Sequence, residues 1–449
     1  MNIKQLLFLT LLSGALLFSS CSEDDDPIPV EINFVNSELA LSESAEVEIT
    51  FSRPADVAGA IAIEITSNLT YGSDSDYYTD PATVEGILTI SYEAGDESAS
   101  FDVFPGETLN IQQDETISFT ISDSDGFVLG EGISATVTVS ENFVAASGTI
   151  EIDGGGSEFP NQAFIDLSKL EQTTVGKYTW DLGFSFGGHQ VVLNSSAYVM
   201  ARALDINDID AVSASDTVGF AAKMYISNYV DTEASGWVDN QNGDLNDTAI
   251  GAISSTDTDN NVYIIKRDGD SRNWKKVRIL QDGENYTLQY ADIDASSHDE
   301  VTISKNVAFN FTHFDLDNGE IEVEPEKENW DLMYSSYTGR ANFGVLLAIG
   351  YNDYIVINRS GVSAAMVMES EIEFDDFEEA DLSTITMVSD NISVIGSSWR
   401  SLVDFSLVLN EDVYYVMSDA EGNNYKLKFT RLTSETNERG YPEFTFELL

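Results

Sequence analysis

The chain is short of the residues on which most protein chemistry depends. One cysteine and three histidines in 449 residues leave no disulfide framework, no cysteine-based zinc site and little room for a histidine-rich metal centre. Basic residues are scarce as well: 21 Lys and Arg stand against 78 Asp and Glu, a net charge of −57. Such a chain repels nucleic acid and anionic lipid alike, which excludes partners recognised through a phosphate backbone. Catalytic signatures are missing too. There is no Gly-x-Ser-x-Gly, His-Glu-x-x-His or phosphate-binding glycine loop. The one glycine cluster, Gly154-Gly155-Gly156-Ser157, lacks a following lysine and reads as a linker. Paired carboxylates carry no information where acids are this common. What is plentiful is apolar: 42% hydrophobic residues, with 24 Phe, 19 Tyr and 5 Trp. That is enough to build cores despite the charge, and the length suggests about two to three domains.

At the N-terminus, Lys4 precedes an apolar run from Leu6 to Phe18 that is too short to span a bilayer comfortably. Small residues follow and lead into Phe18-Ser19-Ser20-Cys21. The pattern resembles a bacterial lipoprotein signal. That resemblance implies a signal peptide over 1–20, cleavage before Cys21 and diacylation of its sulfur. The tether 21–30 opens with Ser22-Glu23-Asp24-Asp25-Asp26-Pro27, acids that stay solvated and stand off an anionic surface. It resembles the export signal of Bacteroidetes lipoproteins, which implies a chain lipid-anchored to the outer membrane and facing the exterior.

Residues 31–142 alternate cleanly. Val47, Ile49 and Phe51 share one strand face, as do Ile61, Ile63 and Ile65, then Ile117, Phe119 and Ile121, then Ala135, Val137 and Val139. Period two with turn residues between runs predicts antiparallel strands in one small sandwich. The order of its features, Ser42-Glu43-Ser44, the loop Tyr71 to Tyr77, Ala94-Gly95-Asp96 and Asp114-Glu115-Thr116, resembles a Calx-β domain. Some such domains bind calcium through carboxylates at one end of the sandwich, in keeping with the oxygen ligands that Ca²⁺ requires. The matching candidates are Glu43, Asp74, Asp76, Asp114 and Glu115. The same segment also reads as a plain spacer.

The remainder contains a duplication. Tyr178-Thr179-Trp180-Asp181-Leu182 returns as Glu328-Asn329-Trp330-Asp331-Leu332. Val191-Val192-Leu193-Asn194-Ser195-Ser196 returns as Ile355-Val356-Ile357-Asn358-Arg359-Ser360-Gly361, and Tyr263 to Gly269 as Tyr415 to Gly422. Upstream, Ala163-Phe164 parallels Ala308-Phe309-Asn310-Phe311. The landmarks read as strands and hairpins in two modules, 146–300 and 301–449, with the tryptophans as core anchors. Short acidic surface helices are expected near 205–212 and 374–382. The Trp-Asp-Leu strands and the closing hairpin from Tyr415 to Phe429 resemble the HmuY family of haem-binding outer-membrane lipoproteins. The expected fold is therefore all-β: a Calx-β or immunoglobulin-like sandwich followed by two duplicated antiparallel β modules of HmuY type.

The resemblance implies haem as cargo, a receptor that takes it over, and an axial nitrogen or sulfur donor to the iron. The family's Arg-Thr-Asn-Gly-Gly turn is absent, so no axial pair carries over. Candidates are His189, in the loop after the first Trp-Asp strand, His313, Met366 and Met368, with His298 and Met417 further behind. Lys266, Arg267, Lys275, Lys276 and Arg278 could form a basic patch for the haem propionates. A different reading is a surface adhesin or glycan binder with a calcium-binding sandwich, which would need Trp237 or Trp399 exposed in a groove. Either way the expectation is capture without catalysis.

Overall fold

The computed structural model describes residues 29–449 except 42–43, 74, 85, 107–108, 110–113, 141–143, 146, 230–231 and 270. The signal, Cys21 and most of the tether lie outside the described residues, as do Glu43 and Asp74. Among the described residues no helix is long and apolar enough to cross a membrane. The fold is all-β, and among the described residues helix is confined to six short 3₁₀ turns.

The first part is a two-sheet sandwich. One sheet runs Tyr77–Asp80, Ser98–Pro105, Ala45–Phe51, Val30–Phe34, Phe127–Leu129; the other runs Glu38–Ala40, Ser134–Val139, Glu115–Ser124, Gly59–Ser67, Ile87–Tyr92. The alternation read from sequence is what packs it. In Ala45–Phe51 every second residue is buried and the glutamates between face water, the pattern of a strand covered on one side.

The duplicated part is wired differently from two modules in tandem. Its strands form two units, and each unit takes three strands from one sequence repeat and six from the other. A contiguous unit has a four-stranded sheet, Val191–Leu193, Leu182–Ser185, Phe311–Asp315, Gly319–Ile321, and a five-stranded sheet, Val199–Ala203, Val262–Arg267, Lys275–Asp282, Asn285–Asp292, Asp299–Ile303. An interrupted unit repeats the plan with Glu171–Gly176, Asn161–Asp166, Leu332–Asn342, Leu346–Ile357, and with Ser147–Glu151, Arg439–Leu448, Asn424–Thr433, Val413–Ser418, Ser363–Met368. The contiguous unit is thus inserted between the third and fourth strands of the interrupted one. The sheet ending in Asp299–Ile303 crosses residue 300, so the repeat boundary at 300/301 is not a structural boundary.

The glycine cluster at 154–156 has a packing role where the interrupted unit closes. Gly154 donates its N–H to Gly440 O at 2.8 Å, and a Cβ on Gly154 would lie 2.5 Å from that oxygen. Only glycine permits so close an approach of two backbones. The expected acidic helices are 3₁₀ turns, Ile209–Ala211, Phe374–Asp376 and Glu379–Thr384. Two of them bury an apolar residue, Ile209 and Phe374, instead of lying on the surface.

Candidate binding cleft between the units

Strand register sets up a residue-by-residue correspondence between the units. Gly183 pairs with His313 and Phe184 with Thr312; Met333 pairs with Phe164 and Tyr334 with Ala163. The positions of Phe164 and Met333 in one unit are therefore held by His313 and Gly183 in the other. The Trp-Asp landmarks obey the same symmetry. Asp181 N–H donates to Phe314 O at 2.9 Å and Asp331 N–H to Ile165 O at 2.7 Å. Their carboxylates accept the N–H of Leu316 and Leu167, at 2.9 and 2.8 Å. Asn194 donates from its amide to the carbonyls of Lys177 and Trp180, and Asn358 to those of Lys327 and Trp330, every distance being 2.8 Å. These buried side chains satisfy backbone groups that no ladder reaches.

The charges break the symmetry. In the contiguous unit, Arg267 bridges Asp181 and Asp315 at 2.9 and 3.0 Å, and Arg272 reaches Asp181 and Asp317. Lys275 pairs with Asp292 and Asp317. Lys276 and Lys426 mark equivalent places, both buried and both donating to carbonyls of the short helical turns. From them the registers put Asp419 where Arg267 stands and Tyr425 where Lys275 stands. The interrupted unit therefore collects Asp166, Asp331 and Asp419 without those cations. Burial, and then the neighbouring Asp166 charge, push the Asp331 carboxyl well above its ordinary range. Asp166 is raised as well, first by burial; its Oδ2 has no hydrogen-bond partner and only Lys169 Nζ at 4.0 Å.

Between the units lies a cleft. Its centre is a cavity of about 100 Å³ whose walls include Trp180, Trp330, Phe164, Phe311, Met333 and His313, with Gln162, Asp239, Glu324 and Arg359 as its polar edge. A cavity of about 260 Å³ adjoins it through Phe311, His313 and Glu324, and another of about 480 Å³ through Gly243, Asp244, Arg359 and Ile392. His313 is buried and stands edge-on to Trp180, ring centroids 4.5 Å apart. Burial lowers its pKa to about 3, so the imidazole is neutral. Gln162 ties the wall together: it accepts from Trp180 Nε1 at 2.8 Å and donates to Met333 Sδ at 3.4 Å. Burial raises Glu324 to about 7 and Asp239 to about 6.

Of the iron-ligand candidates, His313 alone lines the central cavity. His189 sits edge-on to Tyr286 at 5.1 Å, its Nε2 buried and without a partner, near the rim and not in the wall. His298 bonds Asp210 at 2.9 Å. Met366 is exposed and Met368 packs against core beside it, on a strand at the far edge of its sheet, while Met417 is buried. The structure does not gather these candidates at one place. The basic patch is not a patch either: Arg267, Lys275 and Lys276 are buried in ion pairs or on backbone carbonyls. Arg278 donates to the Asn260 and Asp257 carbonyls. Trp237 and Trp399 are 8% and 1% exposed, so no tryptophan groove for glycans forms from them. In the sandwich, Asp76 accepts from Thr70 N–H at 2.5 Å and caps its own loop. Asp114 and Glu115 lead into a strand. Among the described residues no group of three or more His, Cys, Asp or Glu side chains is arranged to hold a metal ion.

Reasoning from sequence missed Gln162, Met333, Glu324, Asp239 and Arg359. Their convergence depends on strands that pair across more than 150 residues, which no local pattern announces. The repeats signalled only one of the differences between the two cleft halves, Arg359 in place of Ser195. The strand registers set His313 against Phe164 and Phe311 against Gln162, so the upstream parallel of Ala163-Phe164 with Ala308-Phe309-Asn310-Phe311 does not hold in the structure.

The comparisons bear on the fold and the repeats. No curated protein matches the chain. Among solved structures, the apo CBD1 domain of Calx resembles 25% of this chain over 97% of its own length, at 14% identity and a TM-score of 0.21. A two-domain protein of unknown function from Bacteroides fragilis resembles 73% of this chain over 94% of its own, at 10% identity and a TM-score of 0.21. The family described as HmuY protein matches twice, over residues 158–293 and 308–446. The two matched stretches make up more than half of the chain and coincide with the two sequence repeats, so the protein belongs to the HmuY family.

Proposed function

We propose that this chain captures haem without transforming it, and that the haem is held in the cleft between the two units. The observation that carries this reading is His313. It is a neutral imidazole in a cavity walled by two tryptophans and two phenylalanines, and only the neutral ring can donate to iron. Met333, on the same cavity, offers a thioether as a second soft donor. Family membership supports the ligand class. Ligand pockets for molecules of this size occupy about 300–1,000 Å³, so the central cavity of about 100 Å³ must open toward its two neighbours as haem enters. The sequence signal at Cys21 and the acids after it support an acylated protein on the outer surface of the outer membrane, from which an outer-membrane receptor would collect the cargo.

A Soret titration tests the reading. The wild-type chain should give a saturable, sharpened Soret band near one equivalent. His313→Ala should lose it, and Met333→Leu should shift the reduced spectrum while keeping the binding. A flat titration of the wild type in both redox states would end the haem proposal.

A further inference from the structure

The two halves of the cleft wall differ in one polar respect. Trp180 Nε1 donates to Gln162 Oε1 at 2.8 Å. At the corresponding place in the other half, Phe311 stands where an acceptor would be. The Trp330 Nε1–H is buried with no acceptor among the described residues, although Trp330 itself is only 7% exposed. An unmade hydrogen bond of this kind costs about 1–3 kcal/mol. Beside it Arg359 replaces Ser195 and lines both the central cavity and the adjoining one of about 480 Å³. A guanidinium carries five N–H donors, yet among the described residues this one makes a single hydrogen bond, Nη1 to Gly243 O at 3.1 Å, and otherwise lies over the Phe311 ring at 4.9 Å. The acids that face it are engaged elsewhere. Glu324 accepts from Phe311 N–H and Asn310 Nδ2, and Asp239 accepts from Leu193 and Ala249 N–H. The Trp330 Nε1–H and most of the Arg359 N–H donors thus face the cleft without a hydrogen-bond acceptor among the described residues, in a chain whose net charge is −57.

We propose that Trp330 and Arg359 form an anion-holding pole of the cleft that grips a carboxylate of the ligand, an inference resting on the cleft being the binding site. A carboxylate matches this pole better than a larger anion. Its two oxygens suit a guanidinium fork, one of them can also accept from the indole, and a single charge limits repulsion by the surrounding acids. The small central cavity admits a carboxylate group as it stands. Haem, with two propionates, satisfies the same chemistry.

The test needs no haem. In the ¹⁵N-labelled chain lacking residues 1–21, the indole N–H resonance of Trp330 is identified by its disappearance in Trp330→Phe. Propionate should move that resonance downfield saturably, while propionamide, which has the same shape without the charge, should bind at least tenfold more weakly. Arg359→Met should reduce the propionate response to that of propionamide, and Arg359→Lys should restore part of it. Unshifted positions of the other four indoles would report that these variants fold. An unmoved Trp330 resonance, or equal responses to propionate and propionamide, overturns the carboxylate pole. Failure of this inference is distinct from failure of haem capture. A Soret shift with a silent indole leaves capture standing and ends the pole. An indole response without a Soret shift keeps the pole and ends haem.

Discussion

Raising the pH from 5 to 8 should destabilise the paired units, and Glu324 should carry a measurable share of that loss beside Asp239 and the raised pair Asp331 and Asp166. Burial lifts Glu324 from 4.5 to about 7 and Asp239 from 3.8 to about 6. A carboxyl whose folded pKa lies above its unfolded value binds its proton more tightly in the native state. Its stabilising contribution is complete below the unfolded pKa and is lost as pH rises through the folded one. At about 1.36 kcal/mol per unit, the interval from pH 5 to 7 removes about 2.7 kcal/mol through Glu324. The interval from pH 5 to 6 removes about 1.4 kcal/mol through Asp239. Together that is on the order of 4 kcal/mol, or roughly 10 °C in Tm for units of this size. Tryptophan fluorescence isolates the relevant transition, because all five tryptophans lie beyond residue 146 and none in the sandwich. The melts belong in about 0.5 M salt, where screening shortens the reach of the global −57 charge to a few ångströms. Glu324→Gln should reduce the pH-dependent drop by about 2.7 kcal/mol, leaving the parts due to Asp239, Asp331 and Asp166. An undiminished drop in that variant would refute the assignment, and a flat wild-type profile would refute the burial argument for both acids.

Three further outcomes follow from the charge asymmetry and the interleaved strands. Arg267→Met leaves Asp181 and Asp315 buried beside a missing partner, so it should cost about 3 kcal/mol, read from the urea midpoint at unchanged m-value. Asp419→Asn removes one of three crowded acids where the other unit keeps a cation. The Asp419 carboxylate also accepts from Asn423 N–H and Nδ2, each at 2.7 Å, and Asn can keep only one of these bonds. The substitution should therefore cost about 1 kcal/mol at pH 5 and less at pH 8, where relief from the raised Asp331 and Asp166 offsets the lost bond; an equal cost at both pH values would contradict the crowding. Fragment 177–324, which contains every strand of the contiguous unit, should give a dispersed amide spectrum and a cooperative melt. Fragment 146–300 should give neither, because its first strands lack their partners, and the opposite result would overturn the strand assignment.

The all-β character and the duplication were legible because both are written locally. Period-two burial in Ala45–Phe51 and the hairpin from Tyr415 to Phe429 each need only neighbouring residues to declare themselves. The Trp-Asp landmarks do lead into strands, and their tryptophans are buried as expected of core anchors, but both also line the central cavity, which that reading did not foresee. What stayed hidden was the partner of each strand. Nothing in Asn161–Asp166 indicates that it pairs with Leu332 and Met333 instead of with the Trp-Asp strand nearer in sequence. The cleft was hidden for the same reason, since Gln162 and Met333 meet only through that pairing. His189 looked the better ligand from its loop position, but loop position does not report depth. It is His313, within a strand, that the sheet turns into the cavity wall.

Interleaving also fixes the order in which the chain can fold as it is synthesised. Strand Asn161–Asp166 finds its partner Leu332–Asn342 only after the whole contiguous unit has been made. Strand Ser147–Glu151 waits still longer, for Arg439–Leu448 near the last residue. Closing such loops is entropically slow, and until it happens the early strands present unpaired edges. The inserted unit shortens this wait. All its strands lie between residues 182 and 321, so it can condense first and draw residues 183 and 321 together, both being in register with His313. The search between distant strands then starts from a folded insert and not from an open chain. Mutations that unfold the contiguous unit should therefore slow the folding of the interrupted one, whose own sequence they leave untouched.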